Sequence, residues 1–95
     1  MDNRKKHVPR SEAEIKQLKN RLHRITGQLN GIENMIEENR YCGDVLIQIA
    51  AVEKALQAFG YNVLEGHLKT CVTDEIRAGD DEIMDEVMEL IKKLK

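Results

Sequence analysis

Apolar residues in the first third of the chain recur at alternating intervals of three and four positions, which is typical of one face of a long helix. A capping box begins this helix, with Ser11 as the N-cap and Glu14 three residues later. We expect the helix to cover residues 11–38. Such a heptad seam requires a partner helix, because it presents one continuous apolar stripe. The seam consists of Ile15, Leu18, Leu22, Ile25, Leu29, Ile32 and Ile36.

A second, more apolar helix is predicted from about Val45 to about Ile76. Small and apolar residues occur on more than one of its faces, which indicates burial on more than one side. Gly79 is suited to end it as the C′ residue, and Asp80 or Asp81 can cap a third, short helix at the C-terminus. The predicted fold class is therefore all-α, with two long helices and one short C-terminal helix.

The predicted helices are too long for a compact chain of 95 residues. The first would span about 42 Å, whereas a compact globule of this size has a diameter of about 32 Å. The helices cannot enclose a core alone, so we predict an obligate helical-bundle oligomer. We assign residues 11–95 to a single domain and residues 1–10 to a flexible basic tail.

Charge is distributed unevenly along the chain. The net charge is −2, but residues 1–24 carry +5 and the remainder carries −7. A basic segment on a mildly acidic protein is typical of nucleic-acid binding, although a solvated tail and helix face have the same composition. No apolar run approaches the ~20 residues of a membrane span and no secretory signal is visible, so we expect a cytoplasmic protein with no membrane partner.

Two cysteines and a histidine form a candidate metal site. His67 and Cys71 are four residues apart on one helix and therefore share a face. Cys42 precedes His67 by 25 residues, or about 37 Å of continuous helix. It can join the pair only from a second, antiparallel copy, unless the helix folds back at Gly60. Two thiolates and an imidazole suit Cu(I), although the spacing also allows buried structural cysteines or a redox pair.

Three stretches of the chain resemble the CsoR-type copper-sensing transcriptional repressors, a branch of the metal-sensing repressors. They are RLHRITGQLNGI (residues 21–32), YCGDVLIQIAAV (41–52) and LEGHLKTCV (64–72). The resemblance implies an antiparallel dimer that assembles into a flat tetramer without a helix-turn-helix. It implies that the metal-free tetramer binds operator DNA and that Cu(I), held by Cys42, His67 and Cys71 across the dimer, releases it and derepresses copper homeostasis genes.

The resemblance also implies roles for residues around the metal ligands and at the DNA. Tyr41 and Glu86 would orient the histidine from outside the ligand shell, with Glu86 assigned after a one-residue gap near Gly79. Arg21 stands where the family has a DNA-contacting arginine. The predicted contacts with operator double-stranded DNA are Arg21, Arg24, Lys19, Arg4, Lys5, Lys6, Lys54 and Arg77.

Other functions remain open at the level of sequence. One is a persulfide- or thiol-redox-sensing repressor of the same family, and another is a Cu(I) buffer or carrier with no DNA role. In the family, the nickel and cobalt branches carry histidine where this chain has Cys71, and the persulfide branch lacks a counterpart of His67. An enzyme is not expected, because no cofactor motif is present and only His67 adjoins a cysteine as an acid–base group.

Overall fold

The chain forms three helical rods, of which two are long and one is short. The computed structural model describes Lys6 and residues 8–95, and within these residues it contains helices and no strand, which confirms the all-α prediction. The predicted DNA contacts Arg4 and Lys5 lie outside the described residues. In chain order the elements are α1 (Glu12–Glu37), α2 (Cys42–His67), a π-helical turn (Leu68–Val72), α3 (Thr73–Arg77) and α4 (Ile83–Leu94).

Local hydrogen bonds explain where α1 begins and ends. The Ser11 hydroxyl accepts the Glu14 backbone N–H at 3.1 Å, as the capping box predicts. At the other end Asn39 has a φ of 56°, and the Arg40 N–H donates to the Met35 carbonyl at 2.9 Å. This is the Schellman arrangement, in which a left-handed residue ends a helix. The turn reverses the chain, so that α1 and α2 pack as an antiparallel pair.

The second rod is continuous from α2 through the π-helical turn to α3. It does not fold back at Gly60, so the continuous-helix expectation is confirmed. Gly60 instead receives the end of α4, because a Cβ built there would lie 2.5 Å from Cδ2 of Leu94. The Gln57 amide also donates to the Leu94 carbonyl at 3.3 Å. These contacts fix the last turn of α4 against the middle of α2.

The turn between the second rod and α4 matches the sequence prediction in part. Gly79 has a φ of 93°, and the Asp80 N–H donates to the Glu75 carbonyl at 2.9 Å, which confirms Gly79 as the C′ residue. The prediction that Asp80 or Asp81 caps α4 is wrong, because Glu82 is the N-cap. The Asp80 carboxylate accepts the Glu82 N–H at 3.1 Å, so it stabilises the preceding turn instead.

In the described part of the chain, buried apolar residues cluster where α4 meets the end of the second rod, whereas Ile25 and Val52 are buried separately between α1 and α2. Val72, Ile83 and Val87 form this cluster, and Ile91 packs against them. The radius of gyration is 17.3 Å, compared with about 12 Å for a compact chain of this length. The principal dimensions are 56 × 28 × 22 Å. The chain is therefore elongated, and α4 is anchored beside the end of the second rod.

The heptad seam of α1 divides into two rows with different surroundings. The inner row, Leu18, Ile25 and Ile32, is buried or half-buried. The outer row consists of Ile15, Leu22, Leu29 and Ile36, which are between 40% and 62% exposed. Within the described part of the chain, three of the seven seam residues are thus covered and four are exposed. No helix in the described part of the chain is both long and apolar enough to cross a membrane.

Candidate metal centre and nucleic-acid interface

The His67–Cys71 pair lies where the second rod changes its helical pitch. His67 is the last residue of α2, and Cys71 lies in the π-helical turn. Two threonine hydroxyls bond to backbone carbonyls there: Thr70 donates to Gly66 and Thr73 to Leu68, both at 2.7 Å. Such side-chain bonds offset the looser backbone ladder of a π-turn, and π-turns occur frequently at functional sites. The wider turn carries a Cys71 side chain that is 1% exposed.

The N-terminal segment covers the Cys71 thiol. The Lys6 ammonium donates to the sulfur at 3.3 Å and to the Thr70 hydroxyl at 2.8 Å, and the Val8 N–H donates to the same sulfur at 3.3 Å. Burial by itself raises the pKa of the thiol. The hydrogen bonds from Val8, Lys6, Thr70 and His67 outweigh that effect and lower the pKa of Cys71 to about 6. At pH 7 the Cys71 thiol is then more ionised than an ordinary cysteine.

The imidazole of His67 has an unused nitrogen. Its Nε2 is buried and has no hydrogen-bond partner among Lys6 and residues 8–95. Buried polar atoms are normally paired, so an unpaired one indicates a missing ligand or partner. The imidazole lines a largely apolar cavity of about 500 Å³ between α2, α4 and the N-terminal segment. Glu86 of α4 lines the same cavity, so the predicted outer-shell acid and the histidine lie on one cavity.

Cys42 is at the opposite end of the second rod. It is the first residue of α2 and is exposed. The length of α2 separates it from His67 by about 37 Å. No three His, Cys, Asp or Glu side chains come close enough to hold a metal ion within Lys6 and residues 8–95. One chain therefore brings His67 and Cys71 together but not Cys42. Tyr41, the N-cap of α2, accompanies Cys42 and is 76% exposed.

The predicted DNA contacts occupy different faces of the molecule. Arg21 and Arg24 line a cavity of about 310 Å³ between α1 and α2. Lys19 lies about 160° around the helix axis from Arg21, because successive residues turn by ~100°, and it borders a different cavity of α1. Lys54 is exposed on α2, and Arg77 is exposed at the end of α3.

Sequence reasoning missed the environment of the Cys71 thiol. It assigned Lys6 to DNA, whereas the Lys6 ammonium lies against the sulfur. It did not select the Val8 N–H or the Thr70 hydroxyl, which also contact this sulfur. No local pattern connects Lys6 or Val8 with a residue more than 60 positions later. Thr70 was accessible in principle, because it adjoins Cys71 in sequence.

A family model described as metal-sensitive transcriptional repressor matches residues 14–93. The match covers all four α-helices except the ends of α1 and α4, and it includes the three sulfur and nitrogen donors. The chain belongs to this family.

Individual proteins that are similar to this chain include named metal-responsive regulators. The copper-sensing transcriptional repressor CsoR of Bacillus subtilis is 45% identical over 85 residues, which are 88% of this chain and 84% of that protein. The crystal structure of the copper-sensing repressor CsoR with Cu(I) from Geobacillus thermodenitrificans superposes with a TM-score of 0.87 at 41% identity, over 97% of both chains. The nickel-responsive transcriptional regulator InrS superposes with a TM-score of 0.74 at 36% identity, over 94% of this chain and 98% of that one.

Proposed function

We propose that this protein is a Cu(I)-responsive transcriptional repressor, whose metal-free form binds operator DNA and whose Cu(I)-bound form releases it. The observation that carries the proposal is the division of the donors: a buried thiol and an imidazole at one end of the second rod, and an exposed thiol at the other. The copper-sensing relatives support the choice of signal. Genes for copper efflux or buffering are the expected targets.

The complete site would form between two copies of the chain packed antiparallel. Cys42 of one copy would then meet His67 and Cys71 of the other, which gives two equivalent sites per dimer. The outer row of the α1 seam supports this assembly, since it is an apolar stripe that the described residues of one chain leave about half exposed. Two such dimers would form the flat tetramer expected from the family resemblance.

The donor set fits Cu(I) better than Ni(II). Two cysteine sulfurs and one imidazole nitrogen are soft ligands, and soft thiolate sites with low coordination select Cu(I). Because Nε2 of His67 has no partner among the described residues, it is available for a new hydrogen bond or a ligand. The lowered pKa of Cys71 favours the thiolate, which is the form that binds a soft cation. Glu86 and Tyr41 would fix the imidazole from outside the ligand shell.

DNA binding would use the basic residues of α1 and the N-terminal segment. Arg21 and Arg24 share one side of α1 and are our primary contacts, with Lys19, Lys54, Arg77 and the basic tail as further contacts. Phosphate contacts of this kind make affinity fall steeply with salt. Cu(I) can release DNA only if it binds more tightly to the conformation that has the lower DNA affinity. Bound DNA then lowers the Cu(I) affinity by the same factor.

We also assign the protein to the cytoplasm, with no catalytic activity. The two cysteines are free thiols at opposite ends of the second rod, which is consistent with a reducing compartment. They are also too far apart for a disulfide within one chain, so a Cys42–Cys71 redox couple receives no support from the geometry.

The proposal is tested by titrating reduced, metal-free protein with Cu(I) while metal stoichiometry and binding to the chain's operator DNA are recorded together. We expect one Cu(I) per chain and loss of the DNA complex at that ratio. The variants Cys42→Ala and His67→Ala should bind DNA normally but should not release it with Cu(I). Copper binding without any saturable, salt-sensitive DNA complex would indicate a copper carrier, and release by thiol oxidants alone would indicate a redox sensor.

A further inference from the structure

In the first turn of α2, the ring of Tyr41 occupies the space that a side chain at Gly43 would need. A Cβ built on Gly43 would lie 2.5 Å from Cε2 of Tyr41, 3.1 Å from its Cδ2 and 3.4 Å from its Cζ. Real Cβ atoms do not approach carbon this closely, so the ring occupies space that only glycine leaves open. The Tyr41 ring therefore lies back across the start of the helix, over Gly43, the residue that follows Cys42.

No hydrogen bond among the described residues holds this ring in place. Tyr41 is exposed, and its side chain makes no capping hydrogen bond although it is the N-cap residue. Its backbone carbonyl, in contrast, is fixed by the N–H groups of Asp44 at 3.0 Å and Val45 at 3.3 Å. The backbone is thus rigid and the ring direction depends on the space over Gly43. Glycine disfavours a helix relative to alanine, so helix formation does not account for its presence.

We propose that Gly43 is a positioning residue for Tyr41, which allows the phenol ring to pack across the first turn of α2 and so presents its hydroxyl next to Cys42. The inference rests on the proposed function, in which Cys42 enters the metal site of a second copy. The ring would enter with it, and its hydroxyl would arrive in a defined direction instead of sampling solvent. Gly43 then contributes to Cu(I) affinity without touching the metal or its ligands.

A double-substitution cycle separates this role from an effect on the helix alone. Gly43→Ala should expel the ring and weaken Cu(I) binding about tenfold, at the lower end of what outer-shell groups contribute. Tyr41→Ala should have a similar effect. In the Tyr41→Ala background, Gly43→Ala should change Cu(I) affinity by less than about twofold, because no ring remains to displace. A tenfold loss in that background would overturn the inference, since the glycine would then act through the backbone.

A second measurement reports how accessible the Tyr41 ring is to solvent in metal-free protein. The chain has two tyrosines and no tryptophan, so Tyr61→Phe leaves Tyr41 as the sole emitter. In metal-free tetramer of this background, Gly43→Ala should increase quenching of the Tyr41 emission by acrylamide. Unchanged quenching would refute the positioning role, and increased quenching without loss of Cu(I) affinity would refute its connection with the site. Failure of the proposed function is seen separately, as absence of Cu(I) binding by the Tyr61→Phe protein itself.

Discussion

The outer row of the α1 seam allows a quantitative test of the assembly. Leu29 lies in the middle of this row and is 51% exposed in one chain. Complete burial of a leucine side chain stabilises by about 1.5–3 kcal/mol, so covering its exposed half contributes about 1 kcal/mol per copy. A two-fold interface contains the residue twice. Leu29→Ala should therefore destabilise the dimer by about 2 kcal/mol, which is about a 30-fold rise in its dissociation constant.

The assay is sedimentation equilibrium of reduced, metal-free protein over a wide concentration range. Leu29→Glu should have a larger effect than Leu29→Ala, because it would place a carboxylate in an apolar contact. Asn30→Glu, one residue later on an exposed position of α1, is the matched control and should leave the association unchanged. Since Cys42 must come from a second copy, the dissociated Leu29→Glu protein should also lose high-affinity Cu(I) binding. Unchanged association for Leu29→Glu would refute the interface and the reasoning that leads to it.

Three further predictions concern the thiol, the small core and DNA. In Cys42→Ala protein, thiolate absorbance at 240 nm should rise with a midpoint at about pH 6, since hydrogen bonds lower the pKa of Cys71. The lowered pKa stabilises the fold at higher pH, and this contribution is lost as the pH falls through about 6. A midpoint at the pKa of an ordinary thiol would contradict the hydrogen bonds to Cys71. Val87→Ala should destabilise the protein in urea by about 1–3 kcal/mol, whereas Met88→Ala, on the exposed face of α4, should change little; equal effects would refute the packing. Arg21→Ala should weaken operator binding and reduce the salt slope by about 1, and an unchanged slope would exclude a phosphate contact.

Much of the fold was predictable because its signals are local. The capping box at Ser11, the left-handed Gly79 and the two apolar periodicities each depend on residues within a few positions. The same is true of the His67–Cys71 pair, which needs only helical spacing. The separation of Cys42 from that pair followed from helix length alone. The identity of the family was also accessible, through three contiguous motifs.

The features that could not be predicted depend on contacts between distant parts of the chain. The π-helical turn places Cys71 where the backbone hydrogen bonds of the helix are wider spaced, and the Thr73 hydroxyl donates there to the carbonyl five residues earlier. The contact of Lys6 with the Cys71 sulfur joins residues 65 positions apart. The division of the α1 seam into a covered and an exposed row likewise depends on where α2 lies. In each case tertiary packing selected among alternatives that local propensity left equivalent.

The central claim, that the metal site is shared between copies, is tested most directly by mixing two inactive variants. Cys42→Ala and Cys71→Ala proteins should each lack high-affinity Cu(I) binding. After subunit exchange at a 1:1 ratio, half of the dimers are mixed, and each mixed dimer contains one intact site. The mixture should therefore regain about one quarter of the wild-type Cu(I) capacity. A mixture that binds no more Cu(I) than the separate variants would contradict a shared site.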